Sequence, residues 1–214
     1  PPFLFAYAQT EIDSALAAIL NSLTPLATLL IGVGFYSFKI DSKQILGVIL
    51  GLIGSVLLMY QGSIINPDQN LMYVFFIICA SFLYALQVNL LKVYLQNVSA
   101  VAIAVGNFVF ILPFAVIIFL STDYNQIDLQ NQNVFDAFLY ILVLSIVGTV
   151  FAKILFNKFV QIASPVFASS VTYLIPVIAL FWGLLDGEIF TVSQLFATIV
   201  IFIGVYLANK KSNK

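Results

Sequence analysis

The stretch Pro165–Gly187 reads PVFASSVTYLIPVIALFWGLLDG, an apolar run with small and hydroxyl side chains in its first half and a proline in its middle. A similar stretch, SALAAILNSLTPLATLLIGVG, occupies Ser14–Gly34, and a shift of 151 positions sets Pro25 on Pro176. After the proline the likeness continues at a shift of 150 positions, as one deleted loop residue would produce. Two similar helix pairs in corresponding positions indicate an internal repeat.

Composition places the chain in a membrane. Hydrophobic residues make up 62% of the sequence and charged residues 8%, with a mean hydropathy of +1.10, whereas a soluble domain carries about 25% charged residues. The sequence contains no histidine, which excludes HExxH metalloproteases and Ser/His catalysis from it. One cysteine, Cys79, cannot form an intrachain disulfide, and a net charge of -1 favours no nucleic-acid partner. We therefore expect a lipid-embedded protein that is not an enzyme and uses no cofactor or metal.

Apolar runs bounded by polar residues predict an all-α polytopic membrane protein with seven complete spans of about 20 residues each. The spans are Asp13–Phe38, Gln44–Tyr60, Leu71–Leu91, Ser99–Ser121, Phe135–Asn157, Val166–Asp186 and Thr191–Ala208. The short apolar piece Phe3–Ala8 precedes them and is interpreted as the end of an incomplete helix.

Charged residues separate between the two ends of these spans. All eight lysines lie at alternate connections or at the C-terminus, and eight of the nine acidic residues lie at the others, with Asp41 as the exception. Because lysines in short loops mark the cytoplasm, we expect a cytoplasmic C-terminus in a bacterial-type inner (plasma) membrane.

The repeat predicts more helices than the sequence holds. Three spans precede the second copy of the repeated pair, but the stub Phe3–Ala8 alone precedes the first copy. We therefore expect a ten-helix fold of two five-helix repeats, N-terminally truncated in this chain, with one repeat inverted relative to the other. Residues 1–60 would end the first repeat, 61–70 link the repeats, 71–209 form the complete second repeat and 210–214 a cytoplasmic tail.

The motif LNSLTP, followed by an apolar run, a short charged loop and LGVILGLIGSVLL, resembles the C-terminal helix pair of an EamA-type repeat of the drug/metabolite transporter superfamily. The second copy, SSVTYLIPVIALFWGLLDGE followed by VSQLFATIVIFIGVYL, is similar and includes an acidic loop that many members carry. Lys39 stands where the family often has a Gly-Glu pair, so no role follows for that loop. The resemblance implies a transporter whose proline-containing helices line a central cavity.

Polar side chains on the apolar helices form the candidate substrate-binding set, because such groups are costly in a membrane and normally face a bundle interior or a wet cavity. In the first copy these residues are Asn21 and Thr28, seven positions apart on one helix face. In the second copy they are Ser169, Thr172 and Tyr173. The alternative for the small hydroxyl residues is close helix packing.

Pro25 and Pro176 each remove a backbone donor, which frees a carbonyl one turn earlier, near Asn21 or Thr172. We expect a helix kink at each proline. The freed carbonyl then either contacts a substrate or results from a simple kink without ligand contact.

A second polar stripe joins Thr149 and Lys153 on one helix face. If Lys153 faces a cavity, its ammonium group favours anionic or carboxylate-bearing substrates. If its side chain instead reaches the cytoplasmic interface near Lys158, it contacts no substrate.

Three further polar residues complete the candidate set: Tyr84, Gln87 and Asn107. The amides of Gln87 and Asn107 must find partners in the bilayer, and interhelical hydrogen bonds explain them nearly as well as a ligand does. Gly47, Gly51 and Gly54 form a GxxxG-like face, which indicates helix packing or a dimer surface.

These patterns together predict a secondary transporter that exports a small organic metabolite or drug by alternating access. Its expected partners are that small molecule, the lipid bilayer and, through the glycine face, a second copy. The alternatives are a non-transporting seven-helix receptor and an inactive fragment. A retinal protein would need a Schiff-base lysine in its last span, and Thr191–Ala208 has none.

Overall fold

The computed structural model describes residues 1–12, 14–60, 71–122, 132–185 and 191–209. The described residues form helices joined by short connections. The α-helices are α1 (Pro2–Ala8), α2 (Ser14–Asn21), α3 (Thr24–Tyr36), α4 (Ser42–Tyr60), α5 (Leu71–Tyr94), α6 (Ala100–Ser121), α7 (Gln132–Val143), α8 (Ala152–Ile162), α9 (Pro165–Ser170), α10 (Leu174–Leu185) and α11 (Val192–Asn209). A π-helical segment, Leu144–Phe151, joins α7 to α8, and a 3₁₀ turn, Val171–Tyr173, joins α9 to α10.

Among the described residues, five helical runs are long and apolar enough to cross a membrane: Ala17–Tyr36, Met72–Tyr94, Ala100–Ser121, Gln132–Ile162 and Val192–Asn209. Two shorter apolar helices, Ser42–Leu57 and Pro165–Ile178, correspond to the other two predicted spans. The prediction of an all-helical polytopic membrane protein is therefore confirmed. Seven complete spans stay a prediction.

The two predicted spans that contain Pro25 and Pro176 are each interrupted near the proline. In the first copy the helix is interrupted at Ser22 and Leu23, and Pro25 then lies in the first turn of α3. In the second copy the 3₁₀ turn interrupts the helix just before Pro176. The physical reason is the same in both copies, because proline cannot donate the hydrogen bond that would continue the preceding turn.

The chain divides into two compact units, and the first comprises Pro1–Lys92 and Ala163–Lys214. Its described core consists of three apolar clusters, centred on Ala8, Ile12 and Ile77; on Tyr173, Ala197 and Ile201; and on Leu29, Val48 and Val166. These clusters join helices far apart in sequence, so the two copies of the repeated pair pack together in one unit.

Helices α4 and α11 touch backbone to backbone. A Cβ atom at Gly47 would lie 2.6 Å from the Gly204 carbonyl oxygen and 2.5 Å from the Ala208 nitrogen. A Cβ at Gly54 would lie 3.0 Å from the Ala197 carbonyl oxygen. Residue numbers at the contact therefore decrease along α11 as they increase along α4. The helices are therefore antiparallel, and the predicted packing role of the glycine face is confirmed. Because α11 of the same chain covers this face, a homodimer would need another surface.

The second unit comprises Val93–Ile162. Asn157, fully buried on α8, donates from Nδ2 to the Ala100 carbonyl at 3.3 Å. The Gln161 Nε2 donates to the carbonyls of Leu95 at 2.9 Å and Val98 at 2.7 Å. These amide side chains hold the turn before α6 against the end of α8.

Candidate functional site at the two helix breaks

The first break carries a chain of polar contacts that runs along α3. Thr24 Oγ1 donates to Asn21 Oδ1 at 3.2 Å, and Thr28 Oγ1 donates to the Thr24 carbonyl at 2.8 Å. Thr28 is fully buried, whereas Asn21 is half-buried. Of the two candidates on this stripe, Asn21 therefore has accessible surface that a substrate could contact, and Thr28 serves the packing of the helix.

Asn89 of α5 continues this polar chain, and sequence reasoning missed it. Its Nδ2 donates to the Thr28 carbonyl at 3.1 Å and to the Ala85 carbonyl at 3.0 Å. The side chain is fully buried, and its Oδ1 has no hydrogen-bond partner among the described residues. The four-residue spacing of Ser81, Ala85 and Asn89 could have indicated that Asn89 lies on the same face of α5 as the small residues Ser81 and Ala85.

The polar residues Ser81, Tyr84 and Gln87 of α5 differ in burial. Ser81 is fully buried and its Oγ donates to the Leu20 carbonyl at 3.3 Å, at the end of α2. Tyr84 is half-buried, with its ring centroid 6.3 Å from that of Phe5 in α1. Gln87 is also half-buried. The structure thus brings Tyr84 and Ser81 against the first copy of the repeat.

The second break satisfies its hydroxyl groups within its own turn. Ser169 Oγ donates to the Val166 carbonyl at 3.0 Å, and Thr172 Oγ1 donates to the Ser169 carbonyl at 2.9 Å. Ser169 is 1% exposed, whereas Thr172 is half-buried. Thr172 therefore corresponds to Asn21 both in the repeat and in its partial exposure.

Tyr173 is enclosed by its neighbours. Its side chain is 0% exposed, and its hydroxyl donates to the Val48 carbonyl of α4 at 3.0 Å. A Cβ atom at Gly51 would lie 2.4 Å from the tyrosine ring, so the ring occupies the space that this glycine leaves open. The Tyr173 hydroxyl thereby ties the 3₁₀ turn to α4, and contact of this side chain with a substrate stays a prediction.

The remaining candidates lie in the unit Val93–Ile162. Asn107 of α6 and Lys153 of α8 are half-buried, and Thr149 is exposed. Thr149 lies in the π-helical segment, where its Oγ1 donates to the Leu144 carbonyl at 3.4 Å, five residues earlier. Single-turn π segments within α-helices often occur at functional sites. Among the described residues, no group of three or more His, Cys, Asp or Glu could hold a metal.

Comparison with known proteins identifies the family of this chain. The EamA-like transporter family model matches residues 1–60 and 71–210. The chain belongs to the EamA-like transporter family. An EamA chain with several apolar membrane-length helices is a multi-pass membrane transporter of the drug/metabolite superfamily.

Solved structures share the fold of this EamA chain. One, titled a crystal structure of a protein, is 14% identical and superposes with a TM-score of 0.80. The match covers 96% of this chain and 70% of the solved chain. At that identity the likeness shows the fold alone. No curated protein sequence matches this chain.

Proposed function

We propose that this EamA chain is the larger part of a secondary transporter that exports a small organic metabolite by alternating access. The observation that carries the proposal is a pair of helix breaks at positions that the repeat makes equivalent. Transporters built from repeats bind their cargo at discontinuous helices, where backbone groups leave the helical ladder and line a cavity.

The two breaks overlap at one position of the repeat. At the shift of 151 positions, Ser22 in the first interruption falls on Tyr173 in the second, and Asn21 falls on Thr172. The carbonyls of Asn21 and Thr172 lie four residues before Pro25 and Pro176, so neither can accept the usual helical hydrogen bond from that position. The half-buried side chains of Asn21 and Thr172 lie beside those carbonyls.

Contacts between α4 and α11 support an inverted arrangement of the two copies. At the shift of 150 positions Gly47 corresponds to Ala197, and Gly54 corresponds to Gly204. Gly54 packs on Ala197, and the exchanged pair, Gly204 with Gly47, is also in contact. Such reciprocity is the property of a twofold interface, in which exchanging the two partners reproduces the contact.

A second exchange gives the same result. Gly204 approaches Gly51, with its Cβ position 2.5 Å from the Gly51 nitrogen. Because Gly51 corresponds to Ile201, the exchanged contact is Gly54 with Ile201, and the Gly54 Cβ position lies 2.8 Å from Ile201 Cγ1. Both exchanges agree with a pseudo-twofold relation and support the proposed inverted arrangement.

The starts of α4 and α11 also match. Gln44 Oε1 accepts from the Asp41 backbone nitrogen at 3.3 Å, and Gln194 Oε1 accepts from the Thr191 backbone nitrogen at 2.9 Å. Each is the reciprocal half of a helix-capping box, in which a Gln at the third helical position bonds back to the cap residue. The repeat thus extends to the side chains that begin the helices.

We propose the fuller architecture on this basis: ten helices in two inverted five-helix repeats, of which this chain holds seven spans and the end of an eighth helix. Residues 1–60 end the first repeat, 61–70 link the repeats, 71–209 form the second repeat and 210–214 the tail. The lysine distribution supports a cytoplasmic C-terminus in a bacterial inner membrane.

We propose that the partly exposed polar residues contact the transported molecule. In the unit with the helix breaks these are Asn21, Tyr84, Gln87 and Thr172. Half-buried Asn107 and exposed Thr149, in the second unit, stay candidates in their own right. The buried candidates Thr28, Ser169 and Tyr173 shape the breaks. We assign Lys153 to the cytoplasmic interface, because it lies five residues before Lys158 and a lysine stem of that reach can extend to the headgroups.

The test compares metabolites inside and outside cells that produce or lack the full-length protein. We expect at least one small organic compound to accumulate outside only with the protein present, and Asn21→Ala to reduce its efflux. Asn97→Ala, at an exposed turn residue, is the matched control and should leave efflux unchanged. Unaltered metabolite profiles, with the protein shown to be in the membrane, would contradict the proposed function.

A further inference from the structure

A buried amide oxygen of α5 lacks a hydrogen-bond partner. Asn89 is 0% exposed, and its Nδ2 uses both hydrogens, donating to the Thr28 carbonyl at 3.1 Å and to the Ala85 carbonyl at 3.0 Å. These two bonds fix the rotation of the amide, and its Oδ1 has no partner among the described residues. An unpaired acceptor in a buried position costs free energy, so the protein gains stability whenever a ligand donates to this oxygen.

Gly32 of α3 shows what surrounds the Asn89 oxygen. A Cβ atom at Gly32 would lie 3.1 Å from Asn89 Oδ1 and 2.8 Å from the Phe38 ring. The amide oxygen and the ring therefore share the space that the glycine leaves beside α3. Because a phenylalanine ring carries no N–H or O–H group, Phe38 can shield the oxygen from water but cannot satisfy it.

Phe38 reaches this position because the chain turns back after α3. The N–H groups of Ser37 and Phe38 both donate to the Gly32 carbonyl, the second at 3.0 Å. Ser37 has a left-handed conformation with a φ of 52°, which is less favourable for serine than for glycine. The Phe38 ring is half-buried and stacks on that of Tyr36, with centroids 5.9 Å apart. A half-buried ring at a strained turn moves more readily than a residue inside a packed helix.

The turn lies at the lysine-bearing end of the helices. Lys39 follows Phe38 directly, and Lys92 lies three residues after Asn89. The proposed topology places this end in the cytoplasm. That is the side from which an exporter takes its cargo.

We propose that Phe38 is a lid over Asn89 at the cytoplasmic entrance, and that Asn89 Oδ1 accepts a hydrogen bond from the cargo when the ring has swung away. The cargo is a small molecule with an N–H or O–H group, because the oxygen of an amide can only accept. The inference rests on the proposed function, since it supplies a cytoplasmic binding group for the exporter. The ring and the cargo alternate in the space beside Gly32.

Access to position 89 tests the lid without any cargo. The full-length protein with Cys79→Ser and Asn89→Cys carries one thiol among the residues of this chain, and a membrane-impermeant methanethiosulfonate labels it in inside-out vesicles. Adding Phe38→Ala should accelerate labelling at least about 10-fold, because the labelling rate follows the fraction of open molecules. Gly32→Ala should also accelerate it, because its Cβ would lie 2.8 Å from the ring and displace it.

Gly34→Ala is the matched control on α3, since nothing lies within 4 Å of a Cβ at Gly34. Its labelling rate should equal that of the parent. Equal rates in Phe38→Ala and Gly32→Ala as well would overturn the lid. If both variants lower the melting temperature sharply, Ser37→Gly decides, because glycine adopts the left-handed turn without strain and should slow labelling roughly 2- to 5-fold. An unchanged rate in Ser37→Gly would then contradict the lid.

Export kinetics test the hydrogen bond to Asn89. For the compound identified in the metabolite comparison, Asn89→Ala should raise the KM of export by roughly 2- to 10-fold through loss of one hydrogen bond. Ser55→Ala is the control, because the Ser55 hydroxyl is also buried without a partner among the described residues. An unchanged KM in a folded Asn89→Ala protein would contradict the bond.

If Asn89→Ala is too unstable to assay, protection from labelling decides. A saturating concentration of the exported compound should slow labelling of the Asn89→Cys protein, whereas a compound that is not exported should leave the rate unchanged. Equal rates with the two compounds would contradict binding at this position.

The two proposals fail separately. Export of some metabolite with labelling that does not depend on Phe38, Gly32 or Ser37 would contradict the lid and leave the transporter in place. Labelling that depends on Phe38, in a protein that changes no metabolite profile, would support the lid and contradict export.

Discussion

Two helix breaks, one between α2 and α3 and one between α9 and α10, share the proline of the repeated stretch. They nevertheless differ in structure. In the first, the helix is interrupted over two residues, and Asn89 of α5 bonds the helix that follows. In the second, a 3₁₀ turn fills the interruption, and Tyr173 bonds across to α4. Proline weakens the helical turn before it, as at both breaks, but the neighbouring helix determines how the broken turn is held.

The residues at matching positions explain this difference. Ser22 in the first break corresponds to Tyr173 in the second, and Ile201 corresponds to Gly51. A large ring therefore faces a glycine in the second break, and its hydroxyl reaches the Val48 carbonyl. The small Ser22 side chain instead bonds back to the Ile19 carbonyl of its own helix. The first break is thus bonded within its own turn by Ser22 and from α5 by Asn89, whereas the second break is bonded to α4 by Tyr173.

The largest expected effect comes from closing the space beside Tyr173. Gly51→Val should destabilise the protein by about 3 kcal/mol, because even a Cβ there would lie 2.4 Å from the ring. Thermal unfolding in detergent measures this loss. Gly34→Val is the control, since nothing lies within 4 Å of a Cβ at Gly34. Equal melting temperatures for the two variants would mean that the second break does not depend on this contact.

Removing Asn89 tests the first break. Asn89→Ala should cost about 2 kcal/mol, because it leaves a cavity and removes the buried donor to the Thr28 carbonyl. The melting temperature of Asn97→Ala, at an exposed residue, should stay within the error of the parent protein. If Asn89→Ala were as stable as the control, the first break would be held by local bonds alone.

Tyr173→Phe keeps the ring and removes one hydrogen bond. We expect a loss of about 1 kcal/mol or less, since interhelical hydrogen bonds in membrane proteins are individually weak. Tyr140→Phe, at a side chain that is 75% exposed, is the matched control. Combining Tyr173→Phe with Gly51→Val should give less than the sum of the two effects, because both act on the same contact. Additive losses would contradict the shared contact.

The smallest expected effect concerns Lys153. Lys153→Gln should change the rate of export by less than about twofold, because a side chain that reaches the cytoplasmic interface contacts no cargo. The assay is efflux of the compound identified in the metabolite comparison, with Lys158→Gln as the neighbouring control. A large loss in Lys153→Gln alone would restore the interpretation of Lys153 as a binding group for an anionic substrate.

Much of the fold follows from residue patterns. The apolar runs predicted the helices, the shift between copies predicted two equivalent breaks, and the glycine spacing on α4 predicted a close helix contact. These features depend on backbone chemistry and on side-chain size within a few turns. The π-helical segment at Leu144–Phe151 was not predicted, because the extra residue in its turn leaves no mark on hydropathy or spacing.

The candidate site was less predictable than the helices. Polarity identified Asn21 and Thr172 as partly exposed groups at the breaks, but the same criterion selected Tyr173, which is buried against Gly51. It missed Asn89, whose partner lies 61 residues away in sequence. A polar side chain in an apolar helix must find a partner, and the sequence does not show whether that partner is a neighbouring helix or a ligand.

The sequence by itself determined that this chain is a helical membrane protein with a repeated, proline-broken helix pair, because hydropathy, proline and glycine act through the local backbone. Only the tertiary structure decided which side chains close the breaks and that α11 covers the glycine face of α4. Those outcomes depend on contacts between helices far apart in the chain, where the fit of two surfaces decides which groups meet.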